Sequence, residues 1–373
     1  MLQLFEAKDG GVPEHVRALT AGLEERHQTV TVGGPPDAAL RSTFERMQSR
    51  YVPLSLVGDM FAPIKDARAG AGILRLMRAE PFDLIHVHGL KPALLGRALA
   101  IARGLPVVYT PNCFVYRSRL LRPSPTAQAR SRLVLAAERV LGRRTHLVAV
   151  SHEEREAAID DGVVPPARAH LVHNGVAPQL DAAPHAGLLA FKGDQPLLGF
   201  VAGMREQKGL PTLLDALESL ATRGGAPRFA IVGNGPLAEE VRLRVERGPL
   251  APTTIVLPFE GRPEPYLAAL DAMVLPSYWE GLPISVLEAM AMGLPVVATA
   301  VGGTPEAVAH GATGFIVPPH DVQALAWRIE EVAADPERAA LMGEAGRAEA
   351  ERHFGVDLMV DKLLALYRGV TAA

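Results

Sequence analysis

The strongest constraint on this chain is a rhythm of short apolar runs separated by amphipathic helical stretches. The rhythm occurs twice, with a break between. In the first half the runs are HQTVTV, FDLIHVHG, LPVVYT, THLVAVS and AHLVHNG, and helical patterns such as residues 14–26 and 67–79 lie among them. Apolar runs this short, bounded by turn residues and alternating with helices, predict strands buried on both faces. Such strands pair in parallel, with helices covering each side of the sheet.

Residues 177–196 interrupt the pattern with APQLDAAPHAGLLAFKGDQP, rich in Pro, Gly, Ala and Asp, which reads as a linker. The alternation then restarts. LLGFVAG, RFAIVG, TTIVLPF, DAMVLPS, LPVVATA and GFIVPP read as strands, LPTLLDALESLATR and LAEEVRLRVE as helices. Residues 322–368 read as largely helical, with a break at Phe354-Gly355. A length of 373 residues suits two domains of ordinary size. The expected fold class is therefore α/β, with two Rossmann-like doubly wound parallel sheets in tandem. Each sheet would place its ligand crevice at its strand carboxyl ends, and two facing crevices would make a cleft.

Several classes are disfavoured. No apolar run reaches the roughly 18 residues of a spanning helix, and Met1 leads into LQLF without a basic leader segment, so a cytoplasmic protein is expected. Cys113 is the sole cysteine, which excludes an intrachain disulfide and a cysteine-based zinc site. No G-x-G-x-x-G opens the first strand–helix unit, which argues against a dinucleotide oxidoreductase. His86 and His88 share one strand face, but no third metal ligand accompanies them. His86 reads as a core histidine. No nucleic-acid partner is expected.

The charge is unevenly spread. Residues 1–180 carry 23 Lys and Arg against 17 Asp and Glu, and the remainder 15 against 24. Between Leu84 and Ala137 there is no acid, while Lys91, Arg97, Arg103, Arg117, Arg119, Arg122, Arg130 and Arg132 supply eight cations. Phe114, Val115, Tyr116, Leu120 and Leu121 lie among them. A basic, partly apolar surface contacting an anionic membrane or a lipid phosphate is one expectation; a solvated arginine-rich face is the other.

The richest motif is Glu280-Gly-Leu-Pro-Ile-Ser-Val-Leu-Glu288, between DAMVLPSYW and AMAMGLPVVATAVGG. It places one carboxylate on a loop and another one turn into a helix, with Pro283 suited to the first turn. The free N–H groups of that turn can hold a diphosphate. Glu288 can accept from vicinal ribose hydroxyls and Glu280 from sugar hydroxyls. A plainer alternative for Glu288 is the capping box Ser285-x-x-Glu288.

The segment from Pro258 to Pro319, with PSYWEGLPISVLEAMAMGLPVVATAVGGTPEAV followed by GATGFIVPP, closely resembles glycosyltransferase family 4. The likeness extends over nearly the whole chain: to Gly10-Gly11-Val12-Pro13-Glu14-His15-Val16, PFDLIHVHG, LVHNGV and ERHFGVDLMVDKLLALY. The resemblance implies the GT-B fold. Residues 1–177 would form an acceptor-side domain, 178–196 a linker, 197–353 a nucleotide-sugar domain, and 354–373 a helix crossing back to the first domain. It implies hexosyl transfer with retention from a nucleoside diphosphate sugar to a glycan, glycolipid or lipid-linked hydroxyl acceptor, with neither metal nor cofactor. Related readings are a phosphorylase or epimerase of the same fold, or a noncatalytic partner protein.

Carried onto this chain, the resemblance assigns the donor diphosphate to Gly11, Arg205, Lys208 and Ile284, the donor sugar to Glu280, Gly281 and Leu282, the ribose to Glu288, and the acceptor side to His88 and Asn112. Glu280, Lys208 and Asn112 are the implied catalytic set. Gly233-Asn-Gly-Pro236 resembles a nucleotide-site turn, and Gly302-Gly303 falls where main-chain contacts to the donor are expected. Two positions depart from the family pattern. Its diphosphate-binding Arg falls on Gly203, two residues before Arg205, and the His expected near the reacting carbon is Asn112.

Overall fold

The computed structural model describes residues 1–56, 62–114, 117 and 124–372. It divides into two compact units, Met1–Gly175 with Val356–Ala373, and Val176–Gly355.

Seven parallel strands form the first unit's sheet: β1 (Leu2–Phe5), β2 (Thr31–Gly34), β3 (Arg50–Pro53), β4 (Ile85–His88), β5 (Val107–Thr110), β6 (His146–Ala149) and β7 (Ala169–Leu171). Their order is β3-β2-β1-β4-β5-β6-β7. Chain order reverses between β1 and β4, which pair with Leu4 opposite Val87. Strand alternation sends Leu2, Leu4, Val87, Val107 and Tyr109 to one core layer. Phe5, Val32, Val108 and Val148 go to the other, with Leu19, Leu23 and Leu363. The carboxyl-terminal helix Val356–Thr371 belongs to this second layer. Gly22 lets it approach, since a Cβ there would lie 2.6 Å from Val360 Cγ2. Arg26 ties the same contact down through Asp357 and Asp361.

The second unit's sheet has six parallel strands: β8 (Leu197–Val201), β9 (Arg228–Val232), β10 (Thr254–Leu257), β11 (Ala272–Leu275), β12 (Val296–Thr299) and β13 (Gly314–Val317). Their order is β10-β9-β8-β11-β12-β13, so the reversal falls between β8 and β11. Segment 178–196, expected to be a linker, holds the helix Ala186–Lys192. Leu188 is buried and Lys192 is paired with Asp271. The Leu188–Leu189 pair inside the Ala-rich run is what the composition masked.

The arginine-rich stretch splits in two. Arg97 is fully buried and donates through Nη2 to Glu138 Oε2 at 2.6 Å, its guanidinium 4.3 Å from the centre of the Tyr109 ring. Lys91 is buried against Asp66. Neither contributes to a basic surface, because the acids that neutralise them lie outside the acid-free segment. Val115, Tyr116, Arg119, Leu120, Leu121 and Arg122 lie outside the described residues.

Burial pushes the Glu138 carboxyl up, against the opposing pull of Arg97. Breaking such a pair strands a charge, whereas replacing both members need not. Glu138→Leu should cost about 3–5 kcal/mol in urea unfolding, and Arg97→Met combined with Glu138→Leu should recover most of it. A single variant as stable as the parent would show that the pair is not held dry.

Candidate functional site

The second unit's site is built where β8 and β11 end side by side. After β8 the chain runs Ala202-Gly203-Met204-Arg205, then a single 3-10 turn at Glu206–Lys208, and Gly209 starts the helix Leu210–Thr222. Gly209 has φ 68°, and a Cβ there would sit 1.8 Å from the Pro276 carbonyl oxygen. Only glycine fits, and this close approach brings Lys208 against the segment leaving β11. Tyr278 N donates to Gln207 O at 2.7 Å, zipping the two loops together.

Glu280 is the hub. Lys208 Nζ lies 2.6 Å from Glu280 Oε1, Ser277 Oγ donates to the same oxygen at 2.6 Å, and Gln207 Nε2 donates to Oε2 at 3.2 Å. The Lys208 and Glu280 side chains are 17% and 7% exposed, so the pair is shielded from solvent on most sides. Gln207 Nε2 also holds Trp279 O at 2.8 Å. Beneath the loop, Thr299 Oγ1 donates to Ser277 O, and Gly303 N to Gly281 O. Gly302 has φ 54°, and a Cβ would lie 2.3 Å from Glu280 O. Gly302-Gly303, expected to meet the donor, braces the backbone of the Glu280 loop.

The helix Ile284–Ala291 follows directly. Pro283 is its N-cap rather than a first-turn residue, with extended backbone and no side-chain cap. Ser285 is therefore the second helical residue and the capping box does not form. Main-chain donors to Pro283 O begin at Val286, so the amides of Ile284 and Ser285 form the mouth of the helix. Gly281, Leu282 and Pro283 are buried, while Ile284, Ser285 and Glu288 are half-buried.

Gly203 leaves room that Arg205 occupies. A Cβ on Gly203 would lie 3.5 Å from Arg205 Nε, and Arg205 N donates back to Gly203 O at 2.9 Å. The guanidinium thus folds over the position where the expected arginine would begin. Asn234 closes the other side, accepting from Met204 N and donating to Phe259 O. Gln207, Ser277, Thr299 and the His320 ring stacked on Tyr278 at 3.9 Å are parts the motif did not disclose. Gln207 and Ser277 are near neighbours of Lys208 and Glu280, but nothing in the sequence orients their side chains.

In the first unit, β1 and β4 also end side by side. Gly10 (φ 85°) and Gly89 (φ 83°) turn the chain into the helices Gly11–Glu25 and Leu90–Ala102. Glu6 occupies the second of these starts, accepting from Leu90 N at 2.9 Å and Lys91 N at 3.3 Å. Burial raises its pKa, while the two amides oppose the rise. The Gly11 helix has no side-chain cap. Asn112 has φ 60°, a left-handed conformation that asparagine tolerates better than most residues, and its Nδ2 donates to Thr110 O at 3.3 Å.

His86, His88 and His15 form a buried cluster of tilted rings behind these ends, with centres 4.0 and 5.2 Å apart. His86 bridges Tyr367 OH at 2.6 Å and Thr110 Oγ1 at 2.8 Å. It is a core histidine, as its position in the strand suggested. His88, assigned to the acceptor side, is fully buried.

A family model described as "Glycosyl transferases group 1" matches residues 187–349, and one described as "Glycosyltransferase Family 4" matches residues 9–180. The 2-deoxystreptamine glucosyltransferase of Streptomyces kanamyceticus is 31% identical over 379 aligned positions, covering 95% of this chain and 96% of the relative. The UDP-Gal:alpha-D-GlcNAc-diphosphoundecaprenol alpha-1,3-galactosyltransferase of Escherichia coli is 26% identical, covering 82% and 80%. Among solved structures, sucrose-phosphate synthase from Thermosynechococcus elongatus superposes with a TM-score of 0.83 at 24% identity, covering 100% and 99% of the two chains. Anabaena HepE in complex with UDP-glucose superposes at 0.81 with 21% identity, covering 99% and 100%.

Two outcomes follow from this geometry. Gly209→Ala should separate the two loops, lowering thermal stability and breaking the Lys208–Glu280 contact; a crystal structure of the variant with that contact intact would refute the fit. The second concerns acid. Burial, with His86 and His15 adding to it, holds His88 well below the usual imidazole range; burial and His15 do the same for His86. Burial brings His15 down to about 4, with neighbouring Asn174 opposing. Unfolded imidazoles take up protons near pH 6.5 while the folded ones stay neutral. Stability is therefore whole above about pH 6.5 and falls as pH drops towards 4. Urea midpoints across this range should show the decline, and His88→Phe should lessen its slope by about 1.4 kcal/mol per pH unit. An unchanged slope would mean that His88 is protonated in the native protein.

Proposed function

The chain belongs to the group 1 glycosyl transferases, glycosyltransferase family 4, and from that membership we propose that it moves a hexosyl group from a nucleoside diphosphate sugar to a hydroxyl acceptor, with retention and without a metal ion. The observation that carries the reading is Lys208 held against Glu280 beside the mouth of the Ile284 helix. One cation, one carboxylate and a set of helix-end amides meet the three needs of such a donor. The diphosphate wants positive charge and amides, and the sugar wants an oriented acceptor of hydroxyl hydrogen bonds.

In this reading the departing diphosphate is stabilised by Lys208, Arg205 and the amides at Ile284 and Ser285. Fixed charge of this kind is a large catalytic contribution, because it costs no reorganisation as the leaving group develops. An ammonium carries three donors, so bonding Glu280 leaves Lys208 capacity for phosphate oxygens. Glu280 would orient sugar hydroxyls with Gly281 and Leu282 shaping the pocket, and Glu288 would take the ribose hydroxyls. Asn112 would contact a sugar hydroxyl without exchanging a proton, because a carboxamide does not titrate. The bond to the anomeric carbon breaks through an oxocarbenium-like state, and the leaving phosphate takes the acceptor proton. Lys208 and Arg205 supply the charge that a divalent ion would otherwise bring.

The UDP-Gal donor of the Escherichia coli relative and the UDP-glucose in the Anabaena structure support a uridine diphosphate sugar. The first unit would serve the acceptor, a glycan, glycolipid or lipid-linked hydroxyl, with peripheral contact to an anionic membrane. Gly203 and Asn112 favour a noncatalytic reading, which Arg205 folded over Gly203 weakens.

Calorimetry with UDP and transfer assays over a panel of nucleotide sugars test the proposal together. Lys208→Ala should lose about 2–3 kcal/mol of transition-state stabilisation in kcat/KM. Glu288→Ala should weaken nucleotide binding, and Glu280→Gln should remove turnover with a smaller loss of affinity. A chelator should leave the rate unchanged. A chain that binds no nucleotide, or variants indistinguishable from the parent, would sink the assignment.

A further inference from the structure

The carboxyl-terminal helix Val356–Thr371 carries one buried residue that packing alone does not explain. Met359, Val360, Leu363 and Leu364 are aliphatic and complete the first unit's second core layer. Tyr367 continues that face by one turn and is 6% exposed, yet it brings a hydroxyl into the core. Phenylalanine would fill almost the same volume without the cost of burying a polar group. The hydroxyl lies 2.6 Å from Nδ1 of His86, a fully buried residue 281 positions away. On its other side, His86 Nε2 lies 2.8 Å from Thr110 Oγ1. Burial, with His15 adding to it, holds His86 well below the usual imidazole range. The ring is therefore neutral: it donates from one nitrogen and accepts at the other, which joins the two hydroxyls in one line. Thr110 ends β5, and its carbonyl oxygen is held as firmly as its side chain. That oxygen accepts from Gly89 N at 3.2 Å and from Asn112 Nδ2 at 3.3 Å. With Nδ2 turned back onto the strand end, Oδ1 is the atom that Asn112 has to offer. The φ of 60° at Asn112 is a conformation that persists where the surroundings over-determine it.

We propose that Tyr367 and His86 are positioning residues for Asn112. Through Thr110 they fix the end of β5, and with it the carboxamide that presents Oδ1 to a hydroxyl of the donor sugar. What Asn112 touches rests on the transferase reading above; the line of contacts that holds it does not. An amide oxygen accepts and has no proton to give, so the sugar hydroxyl is the donor in this contact. Misplacing such a group by about 1 Å can cost on the order of a hundredfold in rate. Binding of the diphosphate by Lys208 and its neighbours is made by other segments and does not pass through Thr110. Loss of the Tyr367 hydroxyl is therefore read in kcat rather than in the KM of the donor.

Tyr367→Phe keeps the ring and removes the hydroxyl. Transfer from a UDP sugar should lose about tenfold in kcat, with the KM of the donor within about twofold of the parent. Thr110→Val breaks the line at its other end and should do the same. Asn112→Ala should lose at least as much, and adding Tyr367→Phe to it should cost nothing further, because the group being positioned is gone. Leu363→Val, on the same buried face, is the control for packing: it should lower the urea midpoint at least as far as Tyr367→Phe does and leave kcat unchanged. Nitrogen-15 spectra of the full chain should show the His86 Nδ1 and Asn112 Nδ2 resonances both moved by Tyr367→Phe. Losses in kcat that multiply in the double variant overturn the proposal, as does an equal loss in Leu363→Val. So does an Asn112 resonance indifferent to the missing hydroxyl. A parent that turns over no nucleotide sugar would defeat the transferase reading, and the Asn112 resonance would then decide the positioning by itself.

Discussion

The contact between Lys208 and Glu280 is the point to which the second unit is organised. The two residues are 72 positions apart, and they meet because β8 and β11 are neighbours across the reversal of strand order. At such a reversal adjacent strands send their chains to opposite faces, leaving a gap that no connecting loop fills. Everything around the pair serves to hold it there. Gly209 admits the Pro276 carbonyl, Gln207 and Ser277 donate to the carboxylate beside Lys208 and leave Oε2 room for a further donor, and Gly302 and Gly303 support the loop from below. A carboxylate this enclosed needs such partners, because an incompletely satisfied charge away from water is costly.

The same topology recurs in the first unit with a different electrostatic result. Two helix starts lie at the ends of β1 and β4, each entered through a glycine with positive φ. Glu6 neutralises one with its own carboxylate and the Gly11 helix carries no side-chain cap. One start is thereby used up structurally, while the first amides of the other have no side-chain cap. Of the three buried histidines behind them, His86 joins Tyr367 of the carboxyl-terminal helix to Thr110 at the end of β5.

Much of this was legible in advance. Short apolar runs in two sets announced two parallel sheets, because period and run length follow directly from burial on both faces. The Glu280 to Glu288 segment announced a carboxylate on a loop before a helix. The helix within 186–192 was missed because its one buried residue, Leu188, lies in a short run set among Ala, Gly and Pro. The capping box suggested for Ser285 failed because Pro283, with extended backbone, takes the capping position two residues earlier. The basic stretch misled in part. Arg97 and Lys91 look like surface charge until their acids, Glu138 and Asp66, are brought in from other helices.

The sequence by itself therefore determined the strands and helices and the chemical types available at the site, since these depend on periodicity and local turn preference. Tertiary structure alone decided which groups meet. Lys208 with Glu280, Arg205 over Gly203, Glu6 on the Leu90 helix and Tyr367 on His86 are contacts between segments far apart in the chain or set by a side-chain rotamer. Such contacts depend on strand order and close packing, and neither leaves a periodic trace in the chain.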